Sequence, residues 1–184
     1  MFDLFRTRAE AVSAEVHRFP TEAQALDFIA GALRKEGVAD AASSWAVWCD
    51  GPLRRTAERE GFPARMPGLH LEVTRERAAG SKVGISEFDW AIADTGTLAQ
   101  DATDPAQRLV STLTEIHVAV VRTGSLLPDL AALLERVDPA RMRYVACVTG
   151  PSRTADIERV LTIGVHGPRR LVVVAIDEQG RERP

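Results

Sequence analysis

Gly150-Pro151-Ser152-Arg153-Thr154-Ala155-Asp156-Ile157-Glu158, continuing to Gly164-Val165-His166-Gly167-Pro168-Arg169, is the stretch on which the reading of this chain turns. An apolar run, Tyr144-Val145-Ala146-Cys147-Val148, leads into it, and apolar residues then fall at Ile157, Val160, Leu161 and Val165. That spacing predicts a helix, so the region reads strand, polar turn, helix, turn, strand. Ser152, Arg153, Thr154 and Asp156 gather two hydroxyls, a guanidinium and a carboxylate into five residues, a density that a packed core does not require. A turn that opens onto a helix N-terminus also presents unpaired backbone N–H groups, which suit an anion.

Upstream, the chain alternates strands and helices. Residues 2–13 suit a short helix that packs loosely or reaches a partner, and Glu15 to Phe19 a strand. Thr21 with Gln24 forms a capping box for a helix whose apolar face is Leu26, Ile29, Ala30 and Leu33, closed by Gly37. Trp45 to Cys49 is a buried strand, Leu53 to Glu60 a short polar helix ended by Gly61, and His70 to Thr74 a short strand. Arg75 to Lys82, charged and containing glycine, reads as a linker between a scaffold half (1–82) and a motif-bearing half (83–176) of one domain. Such alternation predicts an α/β fold with a mostly parallel sheet.

In the second half, Phe88-Asp89-Trp90-Ala91-Ile92-Ala93 reads as one strand ending in the cluster Asp94-Thr95-Gly96-Thr97. Two hydroxyls flank a glycine that lets a ligand or another backbone approach closely; a plain turn or bulge between paired strands is the competing reading. Asp104 and Pro105 start a helix that carries Arg108, either a surface arginine or a site residue. Ile116 to Val121 is a strand in which His117 reads as a satisfied or edge histidine. Ser125 or Leu127 caps the next helix, whose Leu126, Leu130, Leu133, Leu134 and Val137 read as core. Met142 to Val148 and Arg170 to Ile176 are strands, and 177–184 a charged, frayed tail.

Both polar clusters follow strand ends, and ligands of open α/β sheets bind outside the carboxyl ends of strands. Asp94-Thr95-Gly96-Thr97 and Ser152-Arg153-Thr154 are therefore expected at one crevice. There Arg153 would clamp a phosphate or carboxylate, and His166 would exchange protons near neutral pH. The structural alternatives are a helix start in which Asp156 and Glu158 favour the dipole, and a plain turn at His166-Gly167-Pro168.

Composition narrows the function classes. The 184 residues are 45% hydrophobic and 27% charged with a net charge of −3, ordinary for a globular protein and unsuited to nucleic acid or an anionic membrane. No apolar run approaches the roughly 18 residues of a membrane span, and the N-terminus lacks a signal-peptide apolar region. Cys49 and Cys147, each in an apolar run, read as buried thiols of a reducing compartment, so a cytoplasmic protein is expected. No GxGxxG after the first strand, GxxxxGK[ST], GxSxG or HExxH occurs.

The motifs Ala93-Asp94-Thr95-Gly96-Thr97, Arg108, Gly150 to Glu158 and Gly164 to Arg169 resemble those of the LUD domain, the family of lactate-utilisation protein C (YkgG). The resemblance is strong over 83–176 and only architectural over 1–82. It implies a three-layer α/β/α sandwich similar to the fold shared by ribose-phosphate isomerase, glucosamine-phosphate deaminase and CoA transferases. It implies one component of a three-part system that oxidises L-lactate to pyruvate, with iron–sulfur clusters in the partner subunits and no cofactor in this chain. The expected ligand-binding set is Asp94, Thr95, Gly96, Thr97, Arg108, Gly150, Ser152, Arg153, Thr154, Asp156, His166 and Gly167, taking a small anion or a partner. One departure is Thr114, where the family usually has proline before the strand holding His117. The alternatives are an independent isomerase or acyl/CoA-transfer enzyme with Asp94 or Glu87 as base, and a non-catalytic module binding a phosphorylated metabolite.

Overall fold

A computed structural model of the chain describes residues 1–154, 162–164 and 166–177. Its helices are α1 (Phe2–Ala11), α2 (Glu22–Lys35), α3 (Pro52–Arg59), α4 (Arg75–Ala79), α5 (Pro105–Leu113) and α6 (Leu130–Leu134). Its strands are β1 (Ala14–Phe19), β2 (Trp45–Trp48), β3 (Leu69–His70), β4 (Ser81–Phe88), β5 (Trp90–Ile92), β6 (Thr97–Asp101), β7 (Ile116–Arg122), β8 (Leu126–Leu127), β9 (Val145–Val148), β10 (Arg153–Thr154), β11 (Thr162–Ile163) and β12 (Arg170–Ile176).

The frame is a six-stranded sheet in the order β1-β12-β7-β4-β2-β3, every pair parallel. β7 and β12 are near-continuous apolar runs because both of their faces are covered. On one face α2 and α3 pack Leu26, Ile29, Leu33 and Leu53 against Trp48, Ile85, Val118 and Val174. On the other face α1 sets Phe5 and Ala9 against Val16, Ala119 and Val173, together with Phe88, Ala91 and Leu98. This is the expected α/β/α layering, with one addition: the outer layer also holds a small mixed sheet, β8-β5-β6-β9, with α6 packed on it through Leu133.

Caps read from the sequence hold. Thr21 accepts from the N–H of Gln24 at 3.2 Å, and Asp104 from Ala106 at 2.9 Å. Thr114 sits at φ −79°, inside the range a proline would impose, so the loop before β7 keeps its path without one. Several expectations are corrected. Phe88 to Ala93 is not one strand: the chain leaves the large sheet after Phe88 and joins the small one at Trp90, with Asp89 accepting from the N–H of Asp101 at 2.7 Å. Arg75 to Lys82 is not a linker but α4, capped by Thr74, running straight into β4. Only Leu69–His70 pairs where a longer strand was expected. The helix after β7 is capped by Asp129, which accepts from Ala132 at 2.9 Å, not by Ser125 or Leu127; Leu126 lies in β8, and Leu130 and Leu134 are exposed. Asp177 is not frayed: it pairs with Arg18 at 2.7 Å and accepts from Thr123 at 3.1 Å.

Candidate functional site

The turn at 150–154 runs into the short strand β10. Arg153–Thr154 pairs antiparallel with Thr162–Ile163, and the expected helical positions Ile157, Val160, Leu161 and Val165 lie outside the described residues, as do Asp156 and Glu158. The loop is pinned instead by backbone bonds: the N–H of Ser152 donates to Pro168 at 2.8 Å, and that of Gly164 to Ser152 at 2.9 Å. Gly167 lets this pair of loops close, since a Cβ there would meet Ser152 Cβ at 3.2 Å.

These loops wall a cleft of about 440 Å³. Its other walls are β9, the α5 residues Arg108, Ser111 and Thr112, and, near the amino ends of β7 and β12, His117 and Leu171. Of the expected ligand-binding residues, Arg108, Gly150, Ser152, His166 and Gly167 line it together. A second groove of about 620 Å³ shares Thr112, His166 and Gly167 with the cleft and runs on past Lys82, Glu115 and Arg169.

The other expected residues are placed elsewhere. Asp94 to Gly96 form the turn of the β5–β6 hairpin; Asp94 and Thr95 are exposed, and Gly96 is buried at φ +68°. The close approach that Gly96 permits is to α1: a Cβ would stand 2.6 Å from Arg8 C and 2.7 Å from Ala9 Cα. Arg153 donates to Val12 O and, at 2.6 Å, to Ser13 Oγ. Thr154 lies in the β10–β11 pair. Thr97 links the two clusters, its hydroxyl 2.8 Å from that of Thr149. That link exists because β5 and β9 flank β6 and run the same way, so the turns after them leave one edge of the small sheet. The large sheet meets the cleft at the amino ends of β7 and β12, not at carboxyl ends.

Among the described residues the cleft carries a cation, Arg108, without a carboxylate. Arg108 bonds Ala102 O and Thr103 O and lies over the Tyr144 ring at 4.7 Å, with no ion pair among the described residues. His117, read from sequence as a satisfied or edge residue, is on a central strand and 1% exposed. Its Nε2 is 2.8 Å from Ser86 Oγ, and its Nδ1 has no partner among the described residues. Burial pushes the imidazole down to about 4, so it is neutral at physiological pH. Alternation within an apolar strand hid this residue, because the same pattern describes any core histidine. Glu87, a candidate base in the enzyme reading, caps α3: its Oε1 accepts from Leu53 at 2.7 Å and Arg54 at 3.3 Å, and burial pushes its carboxyl up. Cys49 is buried, but Cys147, expected buried, is exposed on edge strand β9. Among the described residues no three His, Cys, Asp or Glu gather as metal ligands, and no helix is long and apolar enough to cross a membrane.

A family model described as LUD domain matches residues 2–176. The chain is 34% identical over 113 residues to the lactate utilization protein C of Exiguobacterium sp., covering 58% of this chain and 49% of that protein. It is 31% identical over 136 residues to the protein of that name from Deinococcus radiodurans, covering 68% and 64%. The chain thus spans between about half and two thirds of the length of these relatives. Its fold is similar to the crystal structure of a DUF162 family protein from Deinococcus radiodurans, with a TM-score of 0.64 at 19% identity over 95% of each chain. The match across nearly the whole chain places it in the LUD domain family.

Proposed function

We propose that this chain is the cluster-free LUD subunit of a system that oxidises L-lactate to pyruvate, and that its cleft binds a small anion or a segment of a partner subunit. The observation that carries the reading is Arg108, a guanidinium without a carboxylate partner among the described residues, lining a cleft of about 440 Å³ whose loops hold the family motifs. The names of the relatives, lactate utilization protein C, support the pathway. Gly150, Ser152, His166 and Gly167 complete the proposed site, and the iron–sulfur clusters belong to the partners in this reading. The enzyme alternative has less support, since Glu87 is engaged at α3 and Arg153 at the α1–β1 turn.

The test is genetic. Deleting the gene is expected to abolish growth on L-lactate but not on pyruvate. The wild-type chain restores growth, and Arg108→Ala, folded and expressed equally, does not. Normal growth on L-lactate after deletion would remove the proposal.

A further inference from the structure

His117 is used by nothing described so far, and it has an unusual hydrogen-bond account. Ser86 Oγ contacts Nε2 at 2.8 Å and no other acceptor among the described residues. A hydroxyl whose only acceptor is a ring nitrogen satisfies its proton by donating to it. Nε2 is then the lone-pair nitrogen, and the neutral ring carries its proton on Nδ1. That Nδ1–H is buried, has no partner among the described residues, and belongs to a side chain that lines the cleft. A buried polar group left unpaired carries its full desolvation cost, so a bound group that accepts from it offsets that cost.

The cleft supplies the rest of the recognition. Arg108 provides positive charge without a carboxylate partner among the described residues. Val145, Ala146, Val148, Pro151, Pro168 and Leu171 provide apolar wall. Among the described residues the cleft sets one guanidinium among hydroxyls and apolar wall, and a single positive charge balances a compact monoanion better than a phosphate dianion, which needs more charge to replace its hydration.

We infer that the cleft takes a small monocarboxylate, with Arg108 as its counter-charge and the Nδ1–H of His117, oriented by Ser86, as the buried donor to one of its oxygens. The inference rests on the reading of the cleft as an anion site and adds the ligand class and two residues, His117 and Ser86. Ser86 acts as a positioning residue, since it touches His117 rather than the ligand. The low proton affinity of the buried ring agrees with a neutral donor at this place.

The test begins with the unmodified full-length chain, labelled with ¹⁵N-histidine and observed by NMR during titration with L-lactate, pyruvate and inorganic phosphate. His117 is expected in the Nδ1–H tautomer, and its Nδ1 resonance should shift saturably with a monocarboxylate and not with phosphate. Calorimetry should show Ser86→Ala and His117→Phe, each retaining the native circular-dichroism spectrum, weakening that binding about tenfold or more, the scale of one hydrogen bond to a charged group. An Nε2–H tautomer, monocarboxylate binding that leaves the His117 signals unmoved, or phosphate binding as tightly as monocarboxylate would each overturn the inference. All three leave the cleft standing as an anion site. Absence of binding by every anion tested would overturn the inference and the anion-site reading together.

Discussion

Gly96→Ala is expected to destabilise the protein by about 3 kcal/mol, and the reason lies in α1 rather than in a ligand. Two costs combine. A residue with a Cβ at φ +68° pays about 1–2 kcal/mol for left-handed backbone. The new methyl would also press on the backbone of α1, 2.6 Å from Arg8 C and 2.7 Å from Ala9 Cα, and overpacking of this kind costs about 1–3 kcal/mol. If α1 lifts to relieve the clash, the fully buried Phe5 ring is exposed instead, a loss of about 1.5–3 kcal/mol, so either route gives a similar total. Urea unfolding measures the change as a shift in midpoint at constant slope, and native-state amide exchange across Phe2–Ala11 should accelerate. Gly31→Ala in α2, with nothing within 4 Å of its Cβ, is the control and should stabilise by about 0.5–1 kcal/mol. A Gly96→Ala loss below about 1 kcal/mol, with exchange in α1 unchanged, would refute this account of the turn.

Three further outcomes are expected. Glu87 has a carboxyl raised by burial against the pull of the Arg54 and Leu53 N–H groups, so the folded state binds its proton more readily than the unfolded one. That contribution to stability is lost as pH rises from the ordinary 4.5 through the raised value. Glu87→Gln should flatten the urea midpoint across that window while keeping the cap, with a change within about 1 kcal/mol at neutral pH. Arg170 joins Glu15 at 2.7 Å and Glu36 at 2.7 Å, and its hydrogen bond holds the Glu15 carboxyl below its usual range. The stability this gives is present above pH 4.5 and lost as pH falls through the depressed value. Arg170→Met should cost about 1 kcal/mol, little because the pair with Glu15 is solvated, and acid-unfolding curves should lose that component. Finally, a thiol reagent should titrate one cysteine in the native chain and two in denaturant, because Cys147 is exposed while burial pushes the Cys49 thiol up to about 12. Two rapid native equivalents would contradict the packing of β2.

The large sheet was legible because its strands are long and punctuated. β2, β7 and β12 carry apolar runs bounded by turn residues, β1 alternates buried and outward residues, and Thr21, Asp104 and Pro105 announce their helices. What escaped has a common physical origin in short elements whose pairing is settled by tertiary contacts. At Asp89 the apolar pattern continues through a change of sheet, so one strand was expected where there are two. Arg75–Ala79 is too short for an apolar period to show. After Thr154 the residues have helical spacing, yet Thr162–Ile163 pairs as a strand, since a two-residue ladder leaves no periodic trace. For the site, the sequence brought together Arg108, Gly150, Ser152, His166 and Gly167 through their motifs. It did not show that Arg153 is engaged by the α1–β1 turn, nor that His117 lines the cleft.

Gly96 presses on Arg8 and Ala9, and Gly150, at φ +69°, would with any side chain strike Val12 O. Two signature glycines from opposite halves of the motif region therefore serve as sockets for one helix and its exit. The two motif glycines are in this respect a record of how the amino-terminal segment is seated. Matching such a motif identifies the architecture without identifying a ligand contact. Gly150 is a socket on one side and cleft wall on the other. The seating of the first helix and the shape of the cleft are thus mechanically one property, and a tag or deletion at the amino terminus is expected to act on the cleft wall at Gly150.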